Sequence, residues 1–177
     1  EIKNIESADR FFKKAIKKQH CKNIVKVINT TKLSMGSNPC VNTFYKGLDR
    51  NPYQQEWFED FLKCLNEYKK KYSYIDQILP WTIDKKCNYQ KYKPNQYYKI
   101  EHHEDSGGRN TKRILAWMFY CNTIKNKGGT SFPQQKVKLK AEEGTVAIWP
   151  AAWPYSHVGI VAPTEYKYIA TGWVSHT

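Results

Sequence analysis

Hydrophobic positions change period about halfway along the chain. Ser7 can cap a helix running to about His20, in which Phe11, Phe12, Ala15 and Ile16 form an apolar stripe opposite lysines. Ile24, Val25, Val27, Ile28 and Leu33 lie in a β-branched segment that predicts a strand and turn over residues 24–34. Met35 to Pro39 predicts a loop. Asn51-Pro52 opens a second helix whose face is Trp57, Phe58, Phe61, Leu62 and Leu65, and the run Lys69-Lys70-Lys71 suits its C-terminal pole. From about residue 81 short segments of strand character follow one another: 87–93, 97–104, 113–121, 136–140, 145–149, 156–161 and 166–174. Pro94-Asn95, Ser106-Gly107-Gly108, Asn122 to Gly129, Gly144 and Pro163 separate them.

Helices followed by strands predict an α+β fold, a β-barrel or sandwich with helices packed outside it. No repeat or linker divides the sequence, so we expect a single domain over 1–177, with helical support over about 1–80 and a barrel core over about 81–177.

Composition narrows the classes. Hydrophobic residues make up 40% and aromatics 15% of the 177 residues, which suits a packed core and excludes a disordered chain. No apolar run reaches the roughly 20 residues of a membrane span, and the start, at Glu1, carries no signal-peptide pattern. Cys21, Cys40, Cys64, Cys87 and Cys121 are scattered without a C-x-x-C pair, which argues against a thiolate zinc site and for reduced thiols in a cytoplasmic setting. The net charge of +13 attracts anions, whether nucleic acid, acidic peptide or a dianionic co-substrate. Its basic residues are mainly lysines, with only Arg10, Arg50, Arg109 and Arg113 as arginines. That resembles a compositional bias more than a surface built for phosphates.

Candidate chemistry concentrates in the last third. His102-His103-Glu104-Asp105 places a histidine and a carboxylate two residues apart in either of two registers, and His157 follows at a distance. Two histidines and one carboxylate bind non-haem iron while leaving positions open for substrate and oxygen. Alternation along the strand puts Tyr98, Ile100, His102 and Glu104 on one face and Lys99, Glu101, His103 and Asp105 on the other. Turning Lys99 and Glu101 inward unpaired would cost on the order of several kcal/mol. We therefore expect His102 and Glu104 to be the pair, with His103 and Asp105 as the alternative register. His20 and His176 fall outside the pattern and read as surface residues. Further on, Lys167, Ile169, Thr171 and Trp173 share a strand face. A buried Lys167 needs a counter-anion, and a carboxylate held by Lys167 and the Thr171 hydroxyl would supply it. Tyr92 and Tyr120 are further candidates for hydrogen bonds to that ligand, and Trp173 for lining the pocket. Trp117, Trp149 and Trp153 shape the pocket or fill the barrel.

Over Tyr92 to Trp173 the chain resembles the prolyl 4-hydroxylase-like branch of the iron(II)/2-oxoglutarate dioxygenases, especially small bacterial and phage members. The matching pieces are Tyr92-Lys93-Pro94, Tyr98 ahead of His102-His103-Glu104, Arg113 to Asn122, Gly128-Gly129-Thr130 with Phe132, Ile148-Trp149-Pro150, His157, and Lys167 to Trp173. The resemblance implies a double-stranded β-helix, or jelly roll. It implies iron held by His102, Glu104 and His157, although most of the family has His-x-Asp, which here exists only at His103 and Asp105. It also implies 2-oxoglutarate held by Lys167, Thr171 and Tyr120, with Tyr92 lining the same pocket. The expected reaction is oxygen-dependent hydroxylation of an unactivated C–H bond, foremost of a peptidyl proline, with release of succinate and CO2. Ascorbate is a further cofactor candidate, and a small-molecule substrate is the alternative to a peptide. A nucleic-acid demethylase fits poorly, since no arginine follows Arg113. The reading from another class is a non-catalytic barrel that binds an acidic polymer or peptide through its lysines.

Overall fold

The computed structural model describes residues 7–31, 34–35, 41–44, 52–78, 80–96 and 105–177. Two antiparallel sheets form its centre. The larger has eight strands: β1 (Arg10–Phe12), β2 (Ser34–Met35), β3 (Val41–Phe44), β4 (Trp81–Ile83), β5 (Asn88–Tyr92), β6 (Arg113–Tyr120), β9 (Val146–Pro150) and β11 (Lys167–His176). Their order is β1-β9-β6-β11-β5-β3-β2, with β4 also pairing β11. The smaller sheet has the order β10-β7-β8, built from β7 (Thr130–Phe132), β8 (Val137–Leu139) and β10 (Val158–Gly159). This is the expected α+β jelly roll.

Strand alternation sorts side chains onto two faces of the large sheet. Tyr89, Trp117, Phe119, Val146, Ile148, Tyr168, Ala170 and Val174 face outward to the helices α1 (Lys18–Thr30) and α2 (Pro52–Lys71). Tyr92, Ala116, Met118, Tyr120, Ala147, Trp149 and Ile169 face inward, toward the small sheet. Trp57 and Phe61 of α2 lie against Trp117, with ring centroids 5.5 and 4.6 Å away. The Trp57 indole donates to the Tyr89 hydroxyl at 2.7 Å, so this buried polar group is satisfied. Gly172 makes room for Trp117, since a Cβ there would lie 2.2 Å from Trp117 Cζ2.

The N-terminal assignments require correction. Residues 10–12 form a strand, not part of a helix, and residues 18–30 are helix where a strand was expected over 24–34. Cys21, Ile24 and Ile28 are the buried positions of α1, a three- and four-residue spacing that belongs to a helix. Its β-branched residues pointed the other way, and packing on the sheet overrode that preference. Phe11 and Phe12 alternate across β1, one packing on each core, as edge-strand residues do. The second helix agrees with expectation, although Cys64 and Tyr68 are buried along with Trp57, Phe61 and Leu65. Six of the seven expected strands over 87–174 have a described counterpart, that over 156–161 shortened to Val158–Gly159, and 137–139 and 130–132 pair as a hairpin of the small sheet. The whole segment 97–104 lies outside the described residues, as do residues 36–39 of the expected loop.

Candidate active site

A cavity of about 320 Å³ opens between the inner face of the large sheet and the small sheet. Strand β11 contributes Lys167, Ile169, Thr171 and Trp173 to its wall, the four residues that alternation placed on one face. Lys167 is only 6% exposed, which is exceptional for a lysine. Its Nζ donates to the Ile160 carbonyl at 3.3 Å and lies 5.0 Å from the centre of the Tyr92 ring. The Tyr92 hydroxyl in turn donates to Gln90 Oε1 at 2.7 Å. An ammonium in such a wall attracts an anion through a short, desolvated contact.

Across the cavity wall, Asp105 and His157 converge. His157 Nε2 lies 3.5 Å from Asp105 Oδ2, with side-chain exposures of 9% and 11%. His157 follows the β9 turn and is packed among rings, 4.9 Å from Trp149 and 5.5 Å from Phe132. Its Nδ1 lies 3.1 Å from the Tyr155 carbonyl oxygen. A carbonyl only accepts, so a neutral imidazole here keeps its single proton on Nδ1 and turns the lone pair of Nε2 toward Asp105. Two acceptors at this distance repel each other unless a proton or a metal cation lies between them. A nitrogen and a carboxylate oxygen in this arrangement suit iron(II).

Two indoles hold the Asp105 carboxylate. Trp173 Nε1 donates to Oδ1 at 2.9 Å and Trp149 Nε1 donates to Oδ2 at 3.2 Å. The backbone also fixes it, since the amides of Asp105 and Ser106 both donate to the Ala151 carbonyl, at 3.0 and 2.8 Å. Arg113 stacks on Trp173 at 3.6 Å and donates to the Asp105 carbonyl at 3.1 Å. A register shift between Val174 and Ser175, where β11 meets Arg113, accompanies this placement. Burial lowers the Arg113 pKa, and the carboxylates of Asp105 and Asp84 oppose that shift.

The other expected site residues divide three ways. Tyr92, Lys167, Thr171 and Trp173 line the cavity. Tyr120 lies beneath it, fully buried, sharing a hydrogen bond of 2.7 Å with the hydroxyl of Thr130, and Thr130 is the residue that reaches the wall. Burial raises the Tyr120 pKa, so the phenol stays neutral and can donate. His102, His103 and Glu104 lie outside the described residues, and among those described no group of three His, Cys, Asp or Glu is assembled. Gln90, Met118, Thr130 and Arg113 line the cavity without having been singled out for it. The parity of β5 and β6 with Tyr92 and Tyr120 was the available signal for the first two.

Neither remaining histidine is a free surface group. His20 Nδ1 lies 2.9 Å from buried Asp60, which also accepts from the Lys17 amide at 3.0 Å, so this pair ties α1 to α2. His176 is half-buried on β11, beside Trp81. Trp117 fills the outer core, whereas Trp149 shapes the cavity, and Trp153 is 66% exposed. Cys21, Cys64, Cys87 and Cys121 are buried and in no disulfide.

The model of the 2OG-Fe(II) oxygenase superfamily matches residues 87–175, and the chain belongs to this family. Iron(II), 2-oxoglutarate and oxygen are the cofactor and co-substrates that accompany membership. A protein of Acanthamoeba polyphaga mimivirus named "Putative prolyl 4-hydroxylase" is 35% identical over 101 residues. That match covers 47% of this chain and 41% of the relative, so it spans about two fifths of the relative's length. In fold, the chain is similar to the viral collagen prolyl hydroxylase of Paramecium Bursaria Chlorella virus-1 in its 2OG complex. The TM-score is 0.75 at 22% identity, over 97% of both chains. It is also similar to a prolyl-4-hydroxylase of Pseudomonas putida, with a TM-score of 0.71 at 12% identity over 97% of this chain and 94% of that one. A Trichoplax adhaerens prolyl hydroxylase, solved with a peptide fragment of hypoxia inducible factor, gives 0.67 at 13% identity, over 96% and 84%.

Proposed function

We propose that this chain is an iron(II)- and 2-oxoglutarate-dependent hydroxylase of peptidyl proline. The observation that carries the reading is buried Lys167 on the wall of the same cavity as the Asp105–His157 pair. Asp105 and His157 would hold the metal. His103, two residues before Asp105 in the sequence, would complete the set. This is the alternative register of the sequence reading. The facing acceptors on Asp105 and His157 support it, and Glu104 lies outside the described residues. The metal and 2-oxoglutarate, when bound with oxygen, supply the oxidising power that hydroxylates a C–H bond and releases succinate and CO2. Proline as the target rests on the names of the relatives.

The chain's own groups have separate tasks. Lys167 binds the distal carboxylate of 2-oxoglutarate, and the Thr171 hydroxyl donates to the same group. The Tyr155 carbonyl fixes the His157 tautomer, so Nε2 remains a lone-pair donor. Trp149 and Trp173 orient Asp105. Met118, Ile169 and the indoles keep water from the reacting atoms.

An anaerobic visible spectrum with iron(II), before and after 2-oxoglutarate, tests the assignment. A new weak charge-transfer band is expected, abolished in Asp105→Ala and retained in Glu104→Ala. The reverse pattern would establish the other register. Succinate release with proline-containing peptides tests the substrate, and turnover confined to free amino acids would refute the peptide reading.

A further inference from the structure

The mouth of the cavity has two unlike rims. Asn88, Gln96 and Asn110 line the cavity, and beside them in sequence stand Lys85, Lys86, Lys93, Arg109 and Lys112, all exposed. The carboxylates of these two segments are Asp84 and Asp105. Both are half-buried and face Arg113, so they leave the exposed positions to the cations. A second stretch that contributes to the lining, Trp149 to Val161, contains no Asp, Glu, Lys or Arg. It carries Trp153 and Pro154 on the turn between the cavity residues Trp149 and His157. Trp153 is the tryptophan that stands out to solvent, at 66%. The rims meet where the Asp105 and Ser106 amides bond the Ala151 carbonyl.

Basic side chains along one edge attract carboxylates over a distance set by ionic strength. An exposed indole on the turn between two cavity-lining residues offers a flat apolar platform to a pyrrolidine ring or aliphatic side chain. We propose that this mouth is a docking surface for an acidic peptide. Asp or Glu residues flanking the target would lie along the Lys85, Lys86, Lys93, Arg109 and Lys112 rim, with an apolar residue on Trp153. This specifies the substrate class of the proposed peptidyl hydroxylase and rests on that reading for turnover, though not for binding.

Three fluorescein-labelled peptides test it, each with one central proline, flanked by Glu, by Ser or by Lys. Anisotropy gives binding and succinate release gives turnover, each at about 20 and about 500 mM salt. The Glu-flanked peptide should bind about tenfold or more tighter than the Ser-flanked one at low salt, and the gap should close at high salt. Lys85→Glu/Lys86→Glu should remove the preference, and Trp153→Ala should weaken all three peptides. Lys63→Glu/Lys70→Glu changes the net charge equally, on exposed positions of α2, and should preserve it. Circular dichroism melting confirms the fold of each variant. Equal affinity for the three peptides, or equal loss in the α2 control, overturns the proposal. Selective, salt-sensitive binding of the Glu-flanked peptide without succinate release upholds the surface and overturns the prolyl reading instead.

Discussion

Replacing Trp173 with Phe removes one hydrogen bond while leaving most of the ring in place. The lost bond is the 2.9 Å contact from the indole to Asp105 Oδ1. A hydrogen bond to an ionised carboxylate contributes about 1.5–3 kcal/mol, and loss of a group that orients a metal ligand lowers metal affinity about 10- to 100-fold. Two features limit the loss. Trp149 still holds Oδ2 at 3.2 Å, and a phenyl ring can still lie under Arg113, now 3.6 Å from the indole. The expected outcome is therefore iron(II) or cobalt(II) binding weakened about 10- to 30-fold, about 1.4–2 kcal/mol, with little change in melting temperature. Freed of its donor, Oδ1 can also turn toward the metal, so the ligand-field spectrum of the cobalt form should change in coordination number. Metal titration followed by absorbance, with apo-protein melting as control, reads both. Binding within threefold of wild type and an unchanged cobalt spectrum would refute the claim that Trp173 positions Asp105.

Further predictions follow from the same geometry. Lys167→Met should raise the 2-oxoglutarate KM about 100-fold while iron binding persists, because it removes the buried cation and keeps the stem volume; an unchanged KM would exclude Lys167 from the co-substrate site. Gly172→Ala should destabilise the fold by about 1–3 kcal/mol in urea unfolding, since its Cβ would collide with Trp117. Trp57→Ala should cost about 3–5 kcal/mol by the same assay, as it empties a fully buried site and removes the donor to the Tyr89 hydroxyl. Burial pushes the Cys21 thiol up to about 12 and Cys64 to about 11, from 9.0. The unfolded chain thus releases protons that the folded chain keeps, so stability should fall as pH rises from 9 toward 11, and melting temperatures across that range should show the decline. A melting temperature that stays level there, or slower thiol labelling of the unfolded chain than of the folded one at pH 8, would contradict this.

Much of the site was legible because strand parity is a local property. Once residues 166–174 are a strand, Lys167, Ile169, Thr171 and Trp173 must share a face, and the one lysine among them stands buried in the cavity wall. Helix α2 was legible for the same reason, from a long periodic stripe after Asn51-Pro52. Parity favoured His102 and Glu104 because it weighed the cost of burying Lys99 and Glu101 on one strand alone, and it could not register the approach of Asp105 to His157. Asp105 is held by groups that come from elsewhere: Trp149 on β9, Trp173 on β11 and the Ala151 carbonyl. At the N-terminus a two-residue alternation, Phe11 and Phe12, was absorbed into a helical pattern because its partner strand β9 lies more than 130 residues away.

The sequence by itself determined the order of helices and strands in the C-terminal two thirds, the chemistry of the residue types, and the surplus of lysine over acidic groups. Those depend on period and composition, which neighbouring residues carry between them. The tertiary structure decided which side chains share a cavity: that Thr130 rather than Tyr120 reaches the wall, that two indoles grip one carboxylate, and that His20 ties two helices. Each of those contacts joins residues ten to more than sixty positions apart, and only the register of packed sheets and helices sets such distances.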